Sequence, residues 1–170
     1  MSKVSVFGAG AWGSTLAQVL CDAGNDVLIW GRNQDVINEI NLRHTNSKYI
    51  GSNVLPDQVR ATSDLAETFA FSKNYVLAIP SQQLRTTLES WKPHFSGDCL
   101  IVSTLKGIEI STQLRMTEVM QDVLGPHRLA LITGPNLADE LILRQPAGAV
   151  AAATSQAISE EVRALFRTPY

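Results

Sequence analysis

The sequence predicts an α/β fold, a doubly wound and mostly parallel sheet wrapped by helices. Three observations predict it: short apolar runs recur along the 170 residues, helical patterns fill the intervals, and the first seam between them holds three glycines within six residues. Six runs stand out, at 4–8 (VSVFG), 26–30 (DVLIW), 74–80 (NYVLAIP), 99–104 (CLIVST), 129–134 (LALITG) and 148–154 (GAVAAAT). They are continuously apolar instead of alternating, which is the pattern of strands buried on both faces. A shorter strand at 59–63 (VRATS) leads into DLAETF. Helices are expected at 11–23, 34–43, 81–91, 112–124, 136–144 and 156–167, while 43–58 has no period and reads as a long loop. Strand–helix alternation with short connections makes the sheet parallel, and right-handed crossovers place helices on both faces. No repeat, low-complexity tract or linker divides the chain, so residues 1–170 read as one domain.

Composition narrows the function classes. A chain that is 45% hydrophobic and 18% charged suits a compact domain, and a formal net charge of −2 argues against a nucleic-acid partner, which needs a basic face. No run approaches the ~18 apolar residues of a membrane span. Met-Ser-Lys leads straight into VSVFGAG, without the pattern of a signal peptide. A soluble, cytoplasmic protein without membrane insertion is therefore expected. Cys21 and Cys99 lie in apolar segments and read as buried thiols of a reducing compartment. His44, His94 and His127 are scattered, and no metal site is expected.

Glycines between two ordered elements cost stability, so something must need the backbone bare at Gly8-Ala9-Gly10-Ala11-Trp12-Gly13. A G-x-G-x-x-G that follows a buried strand, opens an amphipathic helix and is closed by a second strand near residue 30 is the dinucleotide-binding pattern of a Rossmann unit. Gly8 permits the tight turn, Gly10 lets a pyrophosphate approach the backbone, and Gly13 lets the helix sit close to the sheet. The helix N-terminus then binds the anion. NAD-specific units usually end the second strand with Asp or Glu, which holds the ribose diol; here Gly31 and Arg32 stand in that place. With no carboxylate to repel a 2′-phosphate and a guanidinium to pair with it, NADP(H) becomes acceptable or preferred. The plainer reading leaves Arg32 a solvated residue that discriminates nothing. Trp12, inside the loop, is aimed at the cofactor pocket, and Trp30 reads as core.

Two further seams follow strand ends. In STLKGIE (103–109), Lys106 can deliver an ammonium to a phosphate, a carbonyl or a carboxylate, or be a surface lysine in a turn. In TGPNLADEL (133–141), Gly134-Pro135 makes a turn and Asn136 reads as the N-cap of the next helix, with Asp139 and Glu140 in its first turns. In AIPSQQL (78–84), Ile79-Pro80 ends a strand and Ser81 likewise reads as a cap, close to the crevice.

Together GAGAWGSTLA, AIPSQQLR, KGIE and GPNLADEL, in this order and at about this spacing, resemble the N-terminal half of bacterial NAD(P)-dependent glycerol-3-phosphate dehydrogenases. NSKYIGSNVLPDQVRATSDL is similar to that family's loop into its third strand, and the resemblance covers essentially the whole chain. It implies NAD(P)H as cofactor and interconversion of dihydroxyacetone phosphate and sn-glycerol 3-phosphate, feeding glycerophospholipid synthesis. It implies that Ala11 (commonly serine in the family), Trp12 and Arg32 contact the cofactor and that Lys106 is shared between cofactor and substrate. Gly134 and Asn136 would line the substrate site, and Ala138 would lie near the cofactor. Many members have Ser or Thr where this chain has Asn136, whose amide can still hydrogen-bond. Family members run to about twice this length, with a proton-donating lysine in a helical second domain. The chain stops at LFRTPY, so that domain is expected to be missing here and that lysine to lie beyond Tyr170; dinucleotide binding without turnover is the expectation for these residues. A homodimer is allowed for the full-length enzyme. Two other readings stay open: another Rossmann reductase of the β-hydroxyacid or ketopantoate type, and a non-catalytic NAD(P)-binding module.

Overall fold

The computed structural model of the protein describes residues 1–95 and 97–170. Strand β1 (Lys3–Phe7) leads through the glycine seam into α1 (Ala11–Asp22), and β2 (Asp26–Trp30) closes the first unit. Helices α2 (Gln34–Arg43) and α3 (Ser47–Ile50), strand β3 (Arg60–Thr62) and helix α4 (Leu65–Phe71) carry the chain to one edge of the sheet and back. The other half follows as β4 (Asn74–Leu77), α5 (Leu84–Trp91), β5 (Leu100–Ser103), α6 (Met116–Leu124), β6 (Arg128–Thr133), α7 (Ala138–Leu141), β7 (Val150–Ala153) and α8 (Gln156–Phe166). The strands form one sheet in the order β3-β2-β1-β4-β5-β6-β7, parallel except for β7, which runs antiparallel to β6. Strand order reverses between β1 and β4, which opens a crevice outside their carboxyl ends.

Alternate residues of the central strands feed two cores. Val4 and Val6 pack with Leu16 and Leu20 of α1 and Ile40 of α2, whereas Phe7 packs on the opposite face with Tyr75, Leu88 and Met120. Burying one such side chain stabilises by about 1.5–3 kcal/mol, which is why both faces of β1 are occupied by helices. Ser5 is the polar exception; fully buried, its hydroxyl donates to the Thr68 carbonyl at 2.7 Å.

Several sequence expectations change. Residues 43–58 hold the one-turn helix α3 and an antiparallel bridge between Thr45 and Val54, with Ile50 and Leu55 buried; two apolar anchors are too few to show a period. The helix expected at 112–124 begins only at Met116, because Gln113 turns at φ 60° and the Glu118 carboxylate receives the Arg115 N–H at 2.8 Å. The helix expected at 136–144 shrinks to α7. Its N-cap is Leu137 and not Asn136, and Arg144 at φ 56° turns the chain back to pair with Asp22 at 2.8 Å. Ser81 does not cap either: it opens a single 3-10 turn, Ser81–Gln83. Strand β7 sits at the sheet edge with Val150 63% exposed, so it is not buried on both faces. Both cysteines are free; Cys99 is buried, but Cys21 is only half-buried, beside Gln58.

Candidate functional site

The glycine seam separates into two kinds of glycine. Gly8 turns at φ 123°, and a Cβ there would lie 2.4 Å from the Ala78 carbonyl oxygen. A Cβ on Gly13 would lie 1.7 Å from the Gly8 carbonyl oxygen. These two let β1, β4 and α1 meet backbone to backbone. Gly10 differs: its φ is an ordinary −85°, and a Cβ there would meet nothing within 4 Å. Nothing among the described residues requires it to be bare. Gly10 is also the N-cap of α1, with no side-chain cap, and the first intrahelical bond runs from Ser14 N–H to Gly10 O at 2.9 Å. The N–H groups of Ala11, Trp12 and Gly13 precede that bond and point out of the helix at the positive end of its dipole.

These groups open on a cavity of about 870 Å³ at the strand-order reversal, within the ~300–1,000 Å³ of small-molecule sites. Gly8, Gly10, Ala11, Trp12 and Gly13 line one wall, and Arg32 lines the end above β2. Arg32 is exposed and makes no hydrogen bond or ion pair among the described residues. Its neighbour Gly31 has a packing reason, since a Cβ there would lie 2.7 Å from the Ala9 Cβ; the usual acid would not fit. Asn33 is committed elsewhere, capping α2 by accepting the Asp35 N–H at 2.9 Å. The Trp12 indole donates to the Thr104 hydroxyl at 3.0 Å, which donates in turn to the buried Leu77 carbonyl at 2.7 Å, so the ring is held as a wall. Trp30 is both core and lining: half-buried, it packs edge-to-face on Trp91 at 5.1 Å, and both rings face the cavity.

Lys106 and Asn136 reach the same cavity from the far side. The exposed Lys106 ammonium lies 3.3 Å from the Gly134 carbonyl oxygen and 3.5 Å from that of Asn136, so the two seams meet at this group. Gly134 lines a smaller adjoining cavity of about 80 Å³ shared with Trp12, Lys106 and Asn136. Its Cα approaches closely: an added Cβ would lie 2.6 Å from the Gly148 carbonyl oxygen and 2.7 Å from the Asn136 amide nitrogen. Ala138, the first residue of α7, lines neither cavity.

The segment carrying Lys106 is braced from below. Buried Glu109 accepts from Arg85 Nε and Nη2, both at 3.0 Å, and from the Thr112 hydroxyl. The guanidinium beside it holds the Glu109 carboxyl below the usual carboxylate range, and the carboxylates of Glu109 and Asp122 push Arg85 up. The Gln82 amide donates to the Ile108 carbonyl at 2.9 Å and accepts the Ile110 N–H at 3.1 Å. Sequence reasoning missed this brace, and it missed Tyr49, Thr87 and Ser90 as cavity lining, whereas the 78–84 stretch does line the crevice through Ala78, Pro80, Ser81 and Gln83. Tyr49 lies in a stretch without period; Thr87 and Ser90 share a three-residue helical spacing that could have flagged one polar face of α5.

A mostly parallel sheet with a bare glycine, an open helix N-terminus and a cavity at its strand-order reversal defines a dinucleotide-binding Rossmann domain. The family model for the N-terminus of NAD-dependent glycerol-3-phosphate dehydrogenase matches residues 3–159, and the chain belongs to that family. It is 44% identical over 172 residues to glycerol-3-phosphate dehydrogenase (NAD(P)+) of Frankia casuarinae, across 100% of this chain and 51% of that protein. The enzyme of the same name from Thermobifida fusca is 41% identical over 173 residues, across 100% and 52%. Among solved structures, the glycerol-3-phosphate dehydrogenase of Coxiella burnetii superposes with a TM-score of 0.89 at 25% identity, covering 98% of this chain and 51% of that one. A pyrroline-5-carboxylate reductase from the same organism, at 16% identity and a TM-score of 0.72, shares the fold over 98% of this chain and 56% of that one. The chain spans about half the length of the curated relatives it matches. The family is NAD(P)-dependent, and its cofactor is NAD(P)H.

Proposed function

We propose that the protein interconverts dihydroxyacetone phosphate and sn-glycerol 3-phosphate with NAD(P)H, in the cytoplasm and toward glycerophospholipid synthesis. The observation that carries the cofactor half is Gly10, bare without any internal reason beside the open N–H groups of α1. These groups would hold the pyrophosphate, Trp12 and Ala11 the adjoining wall, and Arg32 a 2′-phosphate or the ribose at the end of β2. When bound, the nicotinamide supplies the hydride-exchanging centre. Lys106 stands where an ammonium can serve a phosphorylated substrate, within reach of Gly134 and Asn136, which would frame that substrate. The Arg85–Glu109 brace fixes the loop from which Lys106 extends.

The test has two arms. Calorimetric titration of this chain with NADPH and NADH should show binding. In protein carrying these residues at the relatives' length, NADPH oxidation should depend on dihydroxyacetone phosphate and not on ketopantoate. There, Lys106→Met should lower turnover far more than cofactor affinity; near-normal turnover returns Lys106 to a surface lysine. Binding without turnover at that length supports the non-catalytic module instead.

A further inference from the structure

We infer that Asn46 is a positioning residue that sets the direction of the backbone N–H of Gly10, a role that rests on the cofactor reading above. Asn46 stands just before α3 and is fully buried. Its amide nitrogen donates to the Ala9 carbonyl at 3.0 Å and to the Ser14 hydroxyl at 2.9 Å, while its amide oxygen is buried with no partner among the described residues. A buried amide left half unsatisfied costs stability that an apolar side chain of the same size would not. What it supplies is two donors, both aimed at the glycine seam.

The consequence follows from peptide geometry. No peptide bond among the described residues is cis, and in a planar trans peptide the C=O and N–H point in opposite directions. The unit joining Ala9 to Gly10 has its oxygen held by Asn46 on the α3 side. Its N–H therefore faces away, and that N–H has no partner among the described residues. Gly10 is the very residue whose surroundings are open. Asn46 is itself clamped, because the Glu39 carboxylate receives the Thr45 hydroxyl at 2.8 Å and the Ser47 N–H at 2.7 Å on either side of it. The excursion between α2 and β3 thus acts as a brace on the anion-facing backbone.

The experiment titrates the chain with three probes, NADPH, ADP-ribose and adenosine, for the unaltered protein, Asn46→Leu and Asn46→Asp. Both variants keep the number and branching of side-chain heavy atoms and lack the amide donors; Asp, which also matches the size of Asn, is there in case the bulkier Leu fails to fold, as judged by a cooperative melt. The expected result is about a tenfold loss for NADPH and ADP-ribose, the scale of a lost hydrogen bond, with adenosine unchanged. Unchanged NADPH affinity in a folded variant overturns the inference, and so does an equal loss for all three probes, which marks a merely structural role. If the unaltered chain binds none of the three, the cofactor reading itself falls and takes this inference with it.

Discussion

The seam after β1 and the seam after β5 face each other across one cavity, yet they keep their shapes by opposite means. The first is closed by what is missing: Gly8 and Gly13 let backbone touch backbone, and the side-chain hydrogen bonds it receives come from the uncharged amide of Asn46. The second is held by what is added, an Arg85–Glu109 fork with Thr112 and Gln82 around the loop that carries Lys106. At Gly8 and Gly13 the first cannot tolerate a single extra carbon. The second depends on charge, so it should answer to pH.

The sharpest way to break the comparison is at the first seam. Gly13→Ala should destabilise by at least the ~3 kcal/mol upper end of overpacking costs, because its Cβ would lie 1.7 Å from the Gly8 carbonyl oxygen. A melt close to that of the unaltered chain would mean that the helix can move off the strand. Gly10→Val in the same motif should melt within about 1 kcal/mol of the unaltered chain, because an added Cβ there meets nothing within 4 Å. It should nevertheless abolish NADPH binding in the titration. If it binds normally, Gly10 does not face the pyrophosphate. At the rim of that seam, Arg32→Ala should weaken NADPH by roughly 1.5–3 kcal/mol and leave NADH almost untouched. Equal losses would show that Arg32 does not discriminate.

The second seam should give the gentlest response. The Glu109 carboxyl is held low in the folded chain, so its pairing stabilises above the ordinary carboxylate range near ~4.3 and is lost as pH falls through the lowered value. Glu109→Gln should melt earlier at neutral pH, and its melting temperature should drop less on acidification. Parallel acid profiles for the two chains would show that the brace is not ionic. Glu39 and Glu118 are also held low, so the difference between the profiles is the quantity to read.

What was legible follows the same division. Gly8, Gly10 and Gly13 were readable because a glycine at a strand–helix seam has few physical reasons to be there, and the structure separates two packing reasons from one unexplained gap. The order of strands and helices was readable because burial on both faces leaves continuous apolar runs. Asn46 was not readable. Its partners Ala9 and Ser14 lie more than thirty residues away, and periodicity reports only on neighbours along the chain. Arg85 with Glu109 failed for the same reason. Asn136 misled by being a good cap in isolation: the close approach of Gly134 to its amide and to Gly148 leaves Leu137 at the capping position.

All three tryptophans of the chain, Trp12, Trp30 and Trp91, border the same cavity. The tryptophan emission therefore has no silent background, since each indole borders the crevice that a ligand would enter. Trp12 stands alone against Thr104, whereas Trp30 and Trp91 are close enough to share excitation. Indole emission overlaps the absorption of a reduced nicotinamide and not that of an oxidised one. Filling by the reduced cofactor should thus be visible as energy transfer, without a label, and Trp12→Phe would separate the lone emitter from the pair.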